Sequence, residues 1–164
     1  MSTREFFTER FKAERPAFEK VVRALPGDQL DYRPTEHNTP AGKIAWFMAT
    51  TWKGLVDIFD KGELHRDPSP KPRPDSLDAI ASELEKQLGE VEKRLDAMDD
   101  ATWNREAKMF FGDKLMKTAP AGTIAWFFLF DAIHHRGQLT AYLRPMGGKV
   151  PAVYGPSGDE KGTM

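Results

Sequence analysis

Apolar residues recur at helical spacing in four stretches of the chain. Phe7, Phe11, Phe18, Val22 and Leu25 share one face of a segment running from Ser2 to Leu25. Ser2 and Glu5 stand at capping-box spacing, which satisfies two free backbone donors where that helix starts. Pro16 interrupts the pattern, so a kinked helix or two short ones is expected. A second helix is expected from Pro40 to Lys61, with Ile44, Met48, Thr51, Leu55 and Ile58 as its stripe. Ser76 opens the third, where Leu77, Ile80, Leu84, Leu88, Val91, Leu95 and Met98 form the cleanest amphipathic pattern. The fourth runs from Pro120 to Arg144 and stops before Pro145 and Gly147-Gly148.

The intervening segments carry weaker signals. Residues 28–39 read as a polar loop. Pro68, Pro70, Pro72 and Pro74 make residues 62–75 an extended, fairly stiff connection, long enough to travel the length of a helix. Asp99 to Thr118, where Met109-Phe110-Phe111 and Lys114-Leu115-Met116 flank Gly112-Asp113, is either a small hairpin or an irregular loop. The tail from Lys149 to Met164 predicts no helix, although Val150, Val153 and Tyr154 are suited to docking it. The expected fold is all-α. It is a four-helix bundle with a long crossover connection between helices two and three, forming a single domain over residues 1–164.

An internal repeat bears on this picture. Residues 40–48 read PAGKIAWFM and residues 120–128 read PAGTIAWFF, identical at seven of nine positions. Helices two and four are therefore equivalent halves of a pseudo-symmetric arrangement. In that alignment Thr51 matches Asp131 and Leu55 matches His135.

Composition narrows the function. The 164 residues include no cysteine, four histidines and a formal net charge of −1. Disulfide scaffolds, cysteine-ligated metals and a thiol nucleophile are excluded. The near-neutral balance, with pI near 6.4, argues against nucleic acid and against an anionic membrane surface as partners. No apolar run is long enough to span a bilayer, and the charged start MSTREFFTERF lacks a signal peptide's apolar stretch. A cytoplasmic location is the expectation.

Candidate chemistry lies on the fourth helix. Ile124, Phe128, Asp131, His135, Gln138 and Tyr142 follow one another at alternating spacings of four and three. This seam begins apolar and turns polar at Asp131, where the other half of the repeat has Thr51 and Leu55. Polar groups on a packed seam carry a desolvation cost of about a few kcal/mol unless bonded, paired or ligated. Asp131 and His135 lie one above the other, four residues apart. They suit joint ligation of a metal ion, a carboxylate orienting an imidazole general base, or a satisfied pair closing one end of the core. His134 points away from the seam, His37 and His65 fall in loops, and the four tryptophans read as core.

The run DAIHHRGQLTAYLRPMGGKVPAVYGPSGDE resembles the C-terminal part of the DinB-like family, the DNA-damage-inducible proteins of bacteria. The resemblance extends to the helix order and the long second connection. It implies a dimeric four-helix bundle acting on a small-molecule substrate, with a divalent metal, zinc or nickel, held by three histidines. One such histidine lies on helix two, and two lie at i and i+4 on helix four. Related thiol S-transferases use the metal to activate a low-molecular-weight thiol. His135 matches the last ligand, and Asp131 occupies the place of the preceding one. The helix-two ligand falls near Phe47, which cannot ligate. The resemblance therefore implies either a metal-dependent transferase or hydrolase with an altered ligand set, Asp131 and His135, or a non-catalytic bundle that binds a small molecule or another subunit without the metal.

Overall fold

The structure is a computed structural model that describes residues 1–69 and 71–161; Pro70 and residues 162–164 lie outside it, so the single-domain expectation is described only within these limits. Helix α1 (Thr3–Arg23) begins on the predicted capping box, with Ser2 Oγ accepting from the Glu5 N–H and the Glu5 carboxylate accepting from the Ser2 N–H. Pro16 neither splits nor ends it. Phe11 and Phe18 are buried on either side of the proline, and that packing holds the turn together despite the missing backbone donor.

The expected second helix is two consecutive helices, α2 (Ala41–Thr50) and α3 (Trp52–Lys61). They meet at Thr51, whose carbonyl accepts from the Gly54 N–H at 2.9 Å, a tighter turn than the α-helical one. Gly62, at φ 80°, ends α3 in the left-handed conformation. Helix α4 (Leu77–Ala97) follows its Ser76 cap and buries Ile80, Leu84, Leu88, Val91 and Leu95, as its periodicity predicts. A one-turn α5 (Asp100–Asn104) places Trp103 in the core. Helix α6 (Ala121–Leu143) completes the helical set.

The all-α expectation is corrected by a three-stranded sheet, so the fold is mostly helical with a small sheet. Strand β1 (Glu63–Arg66) lies in the segment expected to be an extended connection. It runs parallel to β2 (Glu106–Phe111), which pairs antiparallel with β3 (Lys114–Pro120). The hairpin reading of residues 99–118 holds, with Gly112 at φ 55° in its turn. The strands are short and mostly exposed, with one buried side chain in each of β1 and β2, so they leave little alternation in the sequence.

Helix α1 packs on α4 and α6, and α2 with α3 packs on the same two helices. One continuous core fills the space between them, centred on Phe7, Phe11, Phe18, Met48, Trp52 and Leu88. The sheet docks on this helical frame through α3 and α6. Among the described residues, no helix is long and apolar enough to cross a membrane.

Candidate functional site

On α6 the residues facing the core most squarely are Leu129, Ala132, Arg136, Leu139 and Leu143, all buried. The polar seam of Asp131, His135 and Gln138 is rotated to the rim and is half-buried. The structure does bring Asp131 and His135 together. His135 Nε2 lies 3.6 Å from Asp131 Oδ1, a little beyond hydrogen-bonding distance. Gln138 Oε1 lies 3.3 Å from His135 Nδ1, and Gln138 Nε2 donates to the Tyr142 hydroxyl at 3.2 Å. This polar ladder along one helix face holds the imidazole ring in place.

Phe47 stands opposite. Its ring meets the His135 ring edge-on at 5.0 Å between centroids. An apolar ring, not a donor atom, therefore packs against the imidazole from α2. Among the described residues, no group of three or more His, Cys, Asp or Glu is placed to hold a metal ion. His37 is exposed in its loop, His134 is exposed, and the His65 ring stacks flat on Phe110 at 4.4 Å. Two donors fall short of the three protein ligands of a typical catalytic metal site. The donor set present does not fit a resident catalytic zinc or nickel ion.

The other face of Phe47 borders a groove of about 620 Å³ between α2, α3 and β1. Three local features shape it. Gly54 on α3 lets Leu64 of β1 close in, because a Cβ there would lie 3.0 Å from both Leu64 methyl carbons. Leu64 thereby becomes the buried residue of β1 and sets Arg66 at the groove. The Trp46 Nε1–H donates to the Lys71 carbonyl at 3.2 Å, which ties the proline-rich segment to α2. Finally, the Arg66 guanidinium lies 5.4 Å over the Phe47 ring, a cation–π contact that joins the groove to the Asp131–His135 pair through one residue.

The carboxylates lining the groove already have partners. Asp57 accepts from Lys53 at 2.7 Å and Lys61 at 2.8 Å. Burial pushes its carboxyl up, but the two lysines outweigh that and hold it below the usual aspartate value. Glu83 accepts from Gln87 at 2.6 Å and lies 3.6 Å from Lys86. Asp67 accepts from the Ser69 N–H at 2.7 Å. Among the described residues, Arg66 and Lys71 have no carboxylate partner.

The sequence pattern singled out Asp131 and His135, and the family resemblance the position of Phe47, but neither pointed to Arg66 or Lys71. Both sit in a segment without periodicity, and only the β1–β2 pairing and the Trp46 contact bring them to α2. Arg136 is the other residue the pattern understated. Its guanidinium is buried, pairs with Glu14, receives the Tyr154 ring at 4.8 Å, and donates to the Tyr154 hydroxyl at 2.5 Å. Its neighbours in the HHRGQ run are the visible signal, since a charged residue beside a packed helix face demands a partner.

Comparison with known proteins places these features in context. The family model described as "DinB family" matches residues 1–162. The Bacillus subtilis (strain 168) protein YrdA, itself described as uncharacterized, is 25% identical over 158 residues, which is 96% of this chain and 92% of that protein. The crystal structure of a DinB-like protein from Bacillus cereus ATCC 10987 superposes with a TM-score of 0.75 at 23% identity, covering 92% of this chain and 97% of that one. A mycothiol-dependent maleylpyruvate isomerase shares the fold with a TM-score of 0.68 at 12% identity, covering 85% of this chain and 61% of that one.

Proposed function

The chain belongs to the DinB family, and from that premise we propose that it is a small-molecule-binding member working without the family's three-ligand metal centre. The ligand site is the groove beside Phe47, on a four-helix-bundle frame. One observation carries the reading: Phe47 packs its ring on His135 at 5.0 Å, where a complete metal site needs a donor atom. The groove is also within the usual size range of small-molecule sites, about 300–1,000 Å³, and mixes apolar walls with a few polar groups.

A metal-dependent thiol transferase or hydrolase is the second reading. The proximity of Asp131 and His135 favours it, because both can turn a lone pair toward one ion. The fold neighbour is mycothiol-dependent by name, so this architecture is compatible with a small thiol partner. It still lacks a third ligand here, which ranks it second.

Metal retention separates the two. Purified protein is incubated with Zn²⁺ or Ni²⁺, dialysed and assayed for bound metal. The wild-type chain is expected to retain far less than one ion per chain. Phe47→His, which adds the missing donor, is expected to retain close to one. Near-stoichiometric metal on the wild-type chain, lost in His135→Ala, would overturn the metal-free reading.

A further inference from the structure

We propose that the groove beside Phe47 binds an organic acid, a molecule with an apolar body and one oxyanion head, and that Arg66 and Lys71 receive the head. The inference rests on the reading of this groove as the ligand site and adds the class of ligand.

The Arg66 guanidinium lies 5.4 Å from the Phe47 ring centroid, a cation–π contact that uses its charge without giving its N–H groups an acceptor. Among the described residues, none of its N–H groups has an acceptor, and Lys71 has no carboxylate within pairing distance. Asp57, Glu83 and Asp67 take their hydrogen bonds from lysine, glutamine and backbone donors rather than from Arg66 or Lys71. The guanidinium fork matches the two oxygens of a carboxylate or phosphate.

The body of the ligand follows from the walls. Trp46, Phe47, Leu64 and Phe128 line the groove, and Leu64 and Phe128 are buried beneath it. Positive charge at one edge and aromatic surface at the base together select an amphipathic acid. A neutral polar molecule would leave the apolar wall wet, and a purely apolar one would give Arg66 and Lys71 no acceptor. Both cations are anchored by their segments, Arg66 through the paired strand β1 and Lys71 through its carbonyl bond to Trp46. The backbone at both positions is then already placed, and only the side chains are left to order on binding.

The test uses three matched probes on the isotope-labelled full chain, followed by backbone amide spectra: naphthoate, naphthyl phosphate and the neutral naphthamide. Either acid is expected to shift the amides of Phe47, Leu64 and Arg66 and to bind about tenfold or more tighter than naphthamide, the scale of a charge-assisted hydrogen bond. The tighter of the two acids identifies the head group. Arg66→Gln and Lys71→Gln are each expected to weaken the acids much more than the amide. Equal affinity for amide and acids, or acid binding that survives both substitutions, overturns the anion assignment and leaves the groove as a ligand site. Absence of groove shifts with all three probes overturns the groove and the acid together.

Discussion

Arg136 shows how much one buried charge organises its surroundings. It is 4% exposed, pairs with Glu14 and lies 5.3 Å over the Phe18 ring. The Tyr154 hydroxyl bridges the pair by accepting from Arg136 and donating to Glu14 at 2.7 Å. Removing Glu14 takes away the only opposite charge that pairs with the buried guanidinium among the described residues, and leaves it the Tyr154 hydroxyl as its hydrogen-bond partner. Glu14→Ala is therefore expected to cost about 3–5 kcal/mol in chemical denaturation, and adding Arg136→Met should recover much of it, because an apolar side chain needs no partner. A double variant as unstable as the single one would refute that account. The repeat glycines have an equally local cause. A Cβ on Gly122 would lie 2.2 Å from Trp103 Cε2, and one on Gly42 would lie 2.8 Å from Leu30 Cβ, so both copies of the PAG motif keep a residue that lets a neighbour in. The motif was visible in the sequence, whereas the neighbours, Trp103 and Leu30, were not. Asp131 and His135 were legible because i and i+4 spacing is a property of one helix. Arg66 and Lys71 were not, because their place depends on contacts between segments far apart in the chain.

Among the elements, the C-terminal tail shows how a segment without secondary structure is nevertheless held in place. Val150 and Val153 pack against the core as expected from their apolarity. Tyr154 docks by its hydroxyl while most of its surface stays exposed. Asp159 accepts from the Val150 N–H and from Arg144, both at 2.9 Å, and the backbone bond is the main cause of its lowered pKa. Glu160 accepts from Lys20 and from the Ala152 N–H, both at 2.7 Å, and the lysine is the main cause of its lowered pKa. Carboxyls held below their unfolded values stabilise docking above those values and lose that contribution as pH falls through the folded ones. The Tyr154 hydroxyl is shifted the other way, with burial as the first cause, so its contribution is lost as pH rises past the usual tyrosine range. Amide exchange at Val150 and Ala152 is expected to be slow near neutrality and to lose protection at acid pH beyond the intrinsic pH trend of exchange. Protection that follows the intrinsic trend alone down to strongly acid pH would contradict this. The repeat also has unequal surroundings. Trp46 is tied to the proline-rich segment, whereas Trp126 packs on Phe6 and Phe7 of α1. Equivalent sequences thus border different neighbours: the first copy gives the groove Trp46 and Phe47, and the second gives it Phe128.

At the scale of the whole molecule, the helical frame separates tail from groove, and a stability change at one is expected to spare the other. Ending the chain after Lys149 removes the Tyr154 bridge and the carboxylate partners of Lys20 and Arg144. The expected loss is about 1–3 kcal/mol, seen as a lower Tm, with naphthoate affinity unchanged because none of the described tail residues lines the groove. Loss of naphthoate binding on truncation would show the two regions to be coupled. The sequence alone determined where the long helices begin, which apolar residues of the first and third helices face the core, that helices two and four are related, and that Asp131 and His135 share a face. Each of these follows from the helical repeat or from a cap within a few residues, so a single segment carries the information. The tertiary structure alone decided that α2 and α3 break at Thr51, that a strand forms in the proline-rich connection, and that Phe47 links the His135 pair to a cationic groove. Those outcomes depend on packing between distant segments, such as Leu64 against Gly54, and no local pattern encodes which surfaces meet.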